Sequence, residues 1–174
     1  AAFDPLSRVN GFAHVNYTLQ QPYVGVLMCI NGAGITYNWL RKNTGASALS
    51  YPELEQMAAQ IPVGADGLSM LPFGNGAERM LENKQVGSHI HHIDLNRHTR
   101  AHLYRAGQEG IAFAFRYGLD IMRENNIHPT VIRAGSANMF LSPVFRQAFV
   151  NATQTPVELY NNDGSVGAAL GAGI

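Results

Sequence analysis

Charge is scarce in this chain of 174 residues. Charged side chains make up 14% of it, and 12 Lys plus Arg balance 12 Asp plus Glu to a formal net charge of zero. A protein that grips nucleic acid or an anionic bilayer needs a basic surface, and this composition supplies none. Cysteine is nearly absent too. Cys29 stands alone, so no internal disulfide can form and a reducing, cytoplasmic setting is expected. Long hydrophobic runs are missing: the apolar stretch at residues 24–30 is far short of the roughly 20 residues that cross a bilayer. No signal peptide is visible. Nothing in the composition excludes a homodimer. The length suits one domain with a real core. The first residue is not Met, and SVGAALGAGI at the end reads as a helix cut short, so a domain truncated at both ends is expected.

What the chain does have is one long helical pattern. Residues 96–126 carry Leu103, Ala106, Gly107, Gly110, Ala114, Gly118 and Ile121 along one stripe, and Ile111, Phe115, Leu119 and Met122 along a second. A helix apolar around so much of its girth is central, with neighbours on at least two sides. Asn96 or Thr99 can cap its start, and Asn125-Asn126 followed by Pro129 ends it. Each glycine inside it costs about 1 kcal/mol relative to alanine, which makes sense if another backbone packs close there. The dense polar string His98, Thr99, Arg100, His102, Arg105 and Glu109 at its front is not explained by packing.

Around this helix the pattern is strand, glycine turn, helix. Asn10-Gly11 is a hairpin signal between alternating residues that include Val9, Phe12, Val15 and Tyr17. Residues 23–30 read as a buried strand, ending in Asn31-Gly32-Ala33-Gly34 before a helix that Gly45 closes. Such a turn presents free backbone N–H groups to a phosphate, and Asn38 lies one helical turn beyond Gly34 on the same face. Ser50, Pro52 and Glu53 open a short helix with a capping box. A strand at 68–73 leads to a loop in which Glu78-Arg79 is a candidate ion pair. Residues 130–134 form a strand before the turn Gly135-Ser136-Ala137-Asn138, then a helix at 140–152 that Pro143 interrupts early, a strand at 156–160 and a third glycine turn at 163–167. Helix alternating with strand in this half implies parallel pairing with helices covering both sheet faces, and ligands at the carboxyl ends of the strands. Three glycine-bearing turns at strand ends point to a nucleotide.

Histidines cluster at SHIHHIDL. His89 and His91 would share a strand face, and His98 and His102 a helix face. A zinc site needs three convergent ligands, and HTRAH lacks the acid of HExxH. No metal site is assigned.

These motifs resemble the C-terminal domain of the FGGY family of carbohydrate kinases, and the likeness to its xylulose kinases covers almost the whole chain. HTRAHLYRAGQEGIAFAFRYGLD is similar to the family's central helix in order and spacing. INGAGITYNWL resembles its glycine turn and tryptophan-containing helix, and GADGLSMLPFGNGAER its strand and Gly-Glu-Arg loop. RAGSANMFLSPVFRQAF resembles its adenosine-side turn, and DGSVGAALGAGI the start of its final helix. Two departures stand out: His92 where the family often has glycine, and a single glycine, Gly135, where it has a run.

The resemblance implies an α/β fold of the actin-like ATPase (ribonuclease H-like) kind, with a mixed sheet and helices on both faces. Residues 1–174 would form part of the nucleotide-side C-terminal domain, with the N-terminal sugar-binding domain absent. It places Gly34 and Asn38 at nucleotide phosphate or ribose, and Gly135 and Asn138 at adenosine. ATP and Mg²⁺ are the expected cosubstrates and a ketopentose, most readily D-xylulose, the acceptor. No catalytic residue falls in the chain, because the family's aspartate base lies upstream of the matching segment. The alternatives are another FGGY kinase, acting on ribulose, gluconate or glycerol, and a non-catalytic actin-like nucleotide-binding module.

Overall fold

A computed structural model describes residues 4–14, 16, 18–161, 165 and 169. Helix α3, Arg100–Glu124, is its axis. Thr99 is the N-cap, not Asn96. Its N–H donates to His102 Nδ1 at 3.1 Å, and its hydroxyl lies at the same distance, so a histidine fills the place usual for Glu or Gln in the capping box. The helix ends at Asn125, and Asn126 turns left-handed (φ 60°).

Both stripes of α3 reach one core, and the first stripe alone reaches a second. Tyr104, Ala106, Ile111 and Ala112 pack with Leu40, Leu54, Met70, Phe145 and Phe149. Those partners come from α1 (Ala33–Asn43), α2 (Tyr51–Ala59), β3 (Ser69–Phe73) and α4 (Pro143–Thr153). Ala114 and Ile121 pack in a second cluster with Val9, Phe73 and Met80. Of the three glycines on the helix, Gly110 alone meets backbone: a Cβ there would strike the Met70 carbonyl of β3. Gly107 faces the Leu40 side chain and Gly118 that of Met28.

The polar front of α3 clasps the loop before β3. His102 Nε2 donates to Asp66 Oδ2 at 3.1 Å, and the buried Glu109 carboxylate accepts from the Gly64 N–H at 3.0 Å and from Arg105 Nε. Burial of Arg105 and Glu109 is tolerable because each neutralises the other and a backbone donor completes the set.

Strands pair in both senses. β1 (Asn10–Ala13) runs antiparallel to β2 (Val24–Leu27), β3 antiparallel to β4 (Gly87–His91), and β5 (Ile132–Gly135) parallel to β6 (Val157–Tyr160) across α4. The hairpin expected to turn at Asn10-Gly11 does not. Asn10 pairs with Leu27 and Gly11 with Val26, so both lie inside the strand. Nor is β2 a buried strand, because among the described residues β1 is its one partner and Val24 and Leu27 stay exposed. Pro143 starts α4 and does not interrupt it: it takes the first helical position, where its missing N–H costs nothing, after a 3₁₀ turn at Asn138–Leu141. Val15, Tyr17, the glycine turn at 163–167 and most of the final helix lie outside the described residues.

Candidate functional site

The turn before α1 is built by contacts from elsewhere in the fold. Gly32 is its N-cap, and any Cβ there would collide with the Pro72 carbonyl of β3. Thr36 Oγ1 bonds the Gly32 and Pro72 carbonyls, tying α1 to β3. The expected Glu78–Arg79 ion pair is not made. Arg79 reaches Asn10 Oδ1, while the Glu78 carboxylate, 0% exposed, turns inward. There its Oε2 accepts from the Asn31 N–H and its Oε1 from the Gly32 N–H, both at 3.0 Å. Two backbone donors are therefore already taken. The donors left for an anion are those of Ala33, Gly34 and Ile35, which as the first turn of α1 have no helical acceptor. Nothing lies within 4 Å of a Cβ built on Gly34.

Opposite stands the turn after β5. Ser136 N–H donates to the Tyr160 carbonyl and Ala137 N–H to that of Gly135, both at 2.8 Å. Asn138 then adopts φ 50°, a left-handed position that asparagine tolerates better than most residues. The two turns enclose one hollow of about 380 Å³, lined by Gly34, Gly135, Ala137 and Asn138 over the rings of Phe115, Phe140 and Phe145. Phe140 stacks edge-on against Phe145 and Phe149 at centroid distances of 5.3 and 5.1 Å, a stiff floor. A larger hollow of about 630 Å³ adjoins it, sharing Gly34, Asn138 and Met139 and adding Tyr37, Tyr51, Glu55 and Ser142. Of the four residues singled out from sequence, Gly34, Gly135 and Asn138 thus come together. Asn38 stands back from both walls, its Oδ1 3.5 Å from the hydroxyl of Tyr51.

Sequence reasoning missed a polar network behind the larger hollow. The fully buried Gln108 of α3 donates to Tyr37 Oη at 2.9 Å and to Glu55 Oε2 at 3.3 Å. Ser142 Oγ lies 2.5 Å from Glu55 Oε2 and 2.6 Å from Gln108 Oε1. Burial pushes the Tyr37 phenol well above its usual range, against the Gln108 bond that lowers it. The one available signal was a glutamine amid the Ala and Gly of α3.

The histidines assemble nothing comparable. His89 and His91 stack at 5.7 Å on the exposed β4, and His98 and His102 lie 5.1 Å apart. Among the described residues no three His, Cys, Asp or Glu are grouped to hold a metal, and no helix is long and apolar enough to cross a membrane.

Residues 2–174 match the family model described as the C-terminal domain of the FGGY family of carbohydrate kinases. The chain belongs to that family. FGGY relatives include the xylulose kinase of Haemophilus influenzae, 36% identical over 124 residues, which are 70% of this chain and 24% of the relative. The xylulose kinase of Escherichia coli is 27% identical over 174 residues, 97% of this chain and 33% of its own. Among solved structures, xylulose kinase from Rhodospirillum rubrum superposes with a TM-score of 0.71 at 27% identity, covering 97% of this chain and 34% of that one. Plasmodium falciparum glycerol kinase with ADP gives 0.76 at 22% identity over 92% and 32%, a likeness of fold alone. The fold is the actin-like, ribonuclease H-like α/β fold of these FGGY kinases. The chain spans about a quarter to a third of the length of the curated relatives it matches.

Proposed function

We propose that these residues form the nucleotide-side part of an ATP-dependent sugar kinase, whose sugar-binding domain and aspartate base lie outside them. The parent enzyme transfers the γ-phosphoryl group of ATP to a ketopentose hydroxyl, D-xylulose giving xylulose 5-phosphate. The reading rests on one observation: Gly34 and Gly135, from two separate strand-to-helix turns, line the same hollow. Relatives named as xylulose kinases support the choice of sugar.

Phosphoryl transfer is mostly positioning and charge stabilisation. The first-turn N–H groups of α1 and the positive end of its dipole face the phosphates. Gly135 and Asn138 flank the adenosine, while Asn38, which stands back from the hollow, is assigned no contact with it. Mg²⁺ would arrive on the triphosphate and spread its charge. Closure of the two domains excludes water from the transfer. The enzyme works in the cytoplasm.

Gly34→Val provides the test, because its side chain enters open space and not a packed neighbour. In the intact kinase it should weaken binding of a non-hydrolysable ATP analogue at least tenfold while the protein stays folded. Unchanged binding would refute the site. Phosphorylation rates for D-xylulose, ribulose, gluconate and glycerol decide the sugar. The 174 residues alone should release no ADP in response to sugar, and sugar-dependent release would overturn the division of labour.

A further inference from the structure

The wall that carries Asn138 is held from behind by a residue on another helix. The N-terminal donors of α4 are all answered within the protein. Pro143 has no N–H, Phe145 donates to Ser142 Oγ at 2.9 Å, and Arg146 donates to the Ser142 carbonyl at 3.0 Å. Val144 donates to Glu55 Oε1 at 2.8 Å, so the last of these positions is taken by a carboxylate from α2. The second oxygen of that carboxylate meets the Ser142 hydroxyl and the Gln108 amide. Glu55 therefore fixes both residues that follow the Asn138–Leu141 turn on either side of Pro143, while itself half-buried on the wall of the larger hollow. A carboxylate there also makes the α4 N-terminus unwelcoming to a phosphate, in contrast to the open first turn of α1.

We infer that Glu55 is a positioning residue for the nucleotide: it sets the Asn138–Pro143 wall against Gly34 and leaves α1, rather than α4, as the helix start that accepts the triphosphate. The inference rests on the nucleotide reading above. Side-chain bonds to an N-terminal turn fix its entry angle, and a shift of about 1 Å in such a wall is enough to degrade positioning.

The experiment is steady-state kinetics of the intact kinase with ATP and sugar varied separately, for Glu55→Ala and Glu55→Gln. The Ala variant should raise KM for ATP about tenfold, with KM for the sugar within twofold of the parent. The Gln variant keeps an oxygen for the Val144 N–H and a group that bonds Ser142, so it should recover KM for ATP to within about threefold. If Glu55 served stability alone, the Ala variant would lose active protein and thermal midpoint with KM for ATP unchanged, and the inference falls. Equal rises in both KM values overturn it as well. Failure of the parent enzyme to bind an ATP analogue would instead overturn the nucleotide reading, so the two failures are distinct.

Discussion

Loss of the Glu78 carboxylate is the perturbation with the largest effect expected on the nucleotide-side turn. The side chain is fully buried, and its two oxygens each accept one backbone N–H at 3.0 Å, from Asn31 and Gly32. A hydrogen bond to a charged acceptor contributes about 1.5–3 kcal/mol, and a buried donor stripped of its partner loses about as much. Glu78→Ala removes both at once and orphans both donors at the start of α1, for a cost of about 3–5 kcal/mol, well above the usual range for a point substitution. Glu78→Gln keeps one carbonyl oxygen but turns an amide N–H₂ toward the second donor, so about 2 kcal/mol should be lost. Urea unfolding measures both, and the only tryptophan is well placed to report it: Trp39 lies on α1 itself and is half-exposed. Hydrogen exchange at the Asn31 and Gly32 amides should quicken in the same order. An Ala variant within about 1 kcal/mol of the parent would refute the capping role, and a Gln variant as costly as Ala would refute the count of two independent bonds.

Two further outcomes follow from packing and charge. Gly110→Ala should destabilise by about 2 kcal/mol despite alanine's helix propensity advantage of about 1 kcal/mol, because its Cβ meets the Met70 backbone carbonyl. Gly118→Ala meets only the flexible tip of Met28 and should fall within about 1 kcal/mol of neutral, so thermal midpoints of the pair that run the other way would contradict the geometry. Asp4 gives the pH dependence. The Arg8 side-chain hydrogen bond, opposed by burial and helped by the Arg8 N–H and Asn125, lowers its carboxyl from 3.8 to about 2. A depressed pKa in the folded state adds stability that is complete above about pH 4 and is lost as pH falls toward 2. Asp4→Asn should flatten the fall in unfolding midpoint over that window, and an unaltered slope would exclude Asp4 as its source.

What could be read in the sequence is local or periodic. The central helix, its stop at Asn125 and the Ser50–Glu53 capping box follow from local or periodic patterns. The helix cap is narrowed only to Asn96 or Thr99, and the parallel β5–β6 pair follows from the strand, helix, strand order. Apart from Pro143, whose place at the start of α4 is set locally, the main errors share a cause, which is that the deciding partner is remote. Glu78 could not be seen to abandon Arg79 for Asn31 and Gly32, 47 and 46 positions away. Glu55 could not be seen to reach Val144, 89 positions away. The exposure of β2 depends on which strands flank it, which no periodicity within the strand encodes. His92, where the family often has glycine, adopts φ 61°, a left-handed backbone that glycine occupies freely and histidine holds at some strain. There the departure was legible but its consequence needed the backbone.

The glycine turn before α1 shows how far the two kinds of reading must be joined. From sequence, Gly32 and Gly34 look equivalent, two small residues in one turn. Their environments differ completely. At Gly32 a side chain is forbidden by the Pro72 carbonyl, so its glycine is explained by the fold and says nothing about a ligand. At Gly34 the space is open and the position lies in the regular first turn of α1, where alanine would be favoured by about 1 kcal/mol. Packing gives no reason for glycine there. What a side chain at Gly34 would fill is the hollow it shares with Gly135 and Asn138, so the glycine makes sense as room left for something that binds there. Because the stability gain from Ala and the steric loss from Val act on different observables, unfolding and ligand affinity, the two substitutions at this single position separate the demands of the fold from those of the site.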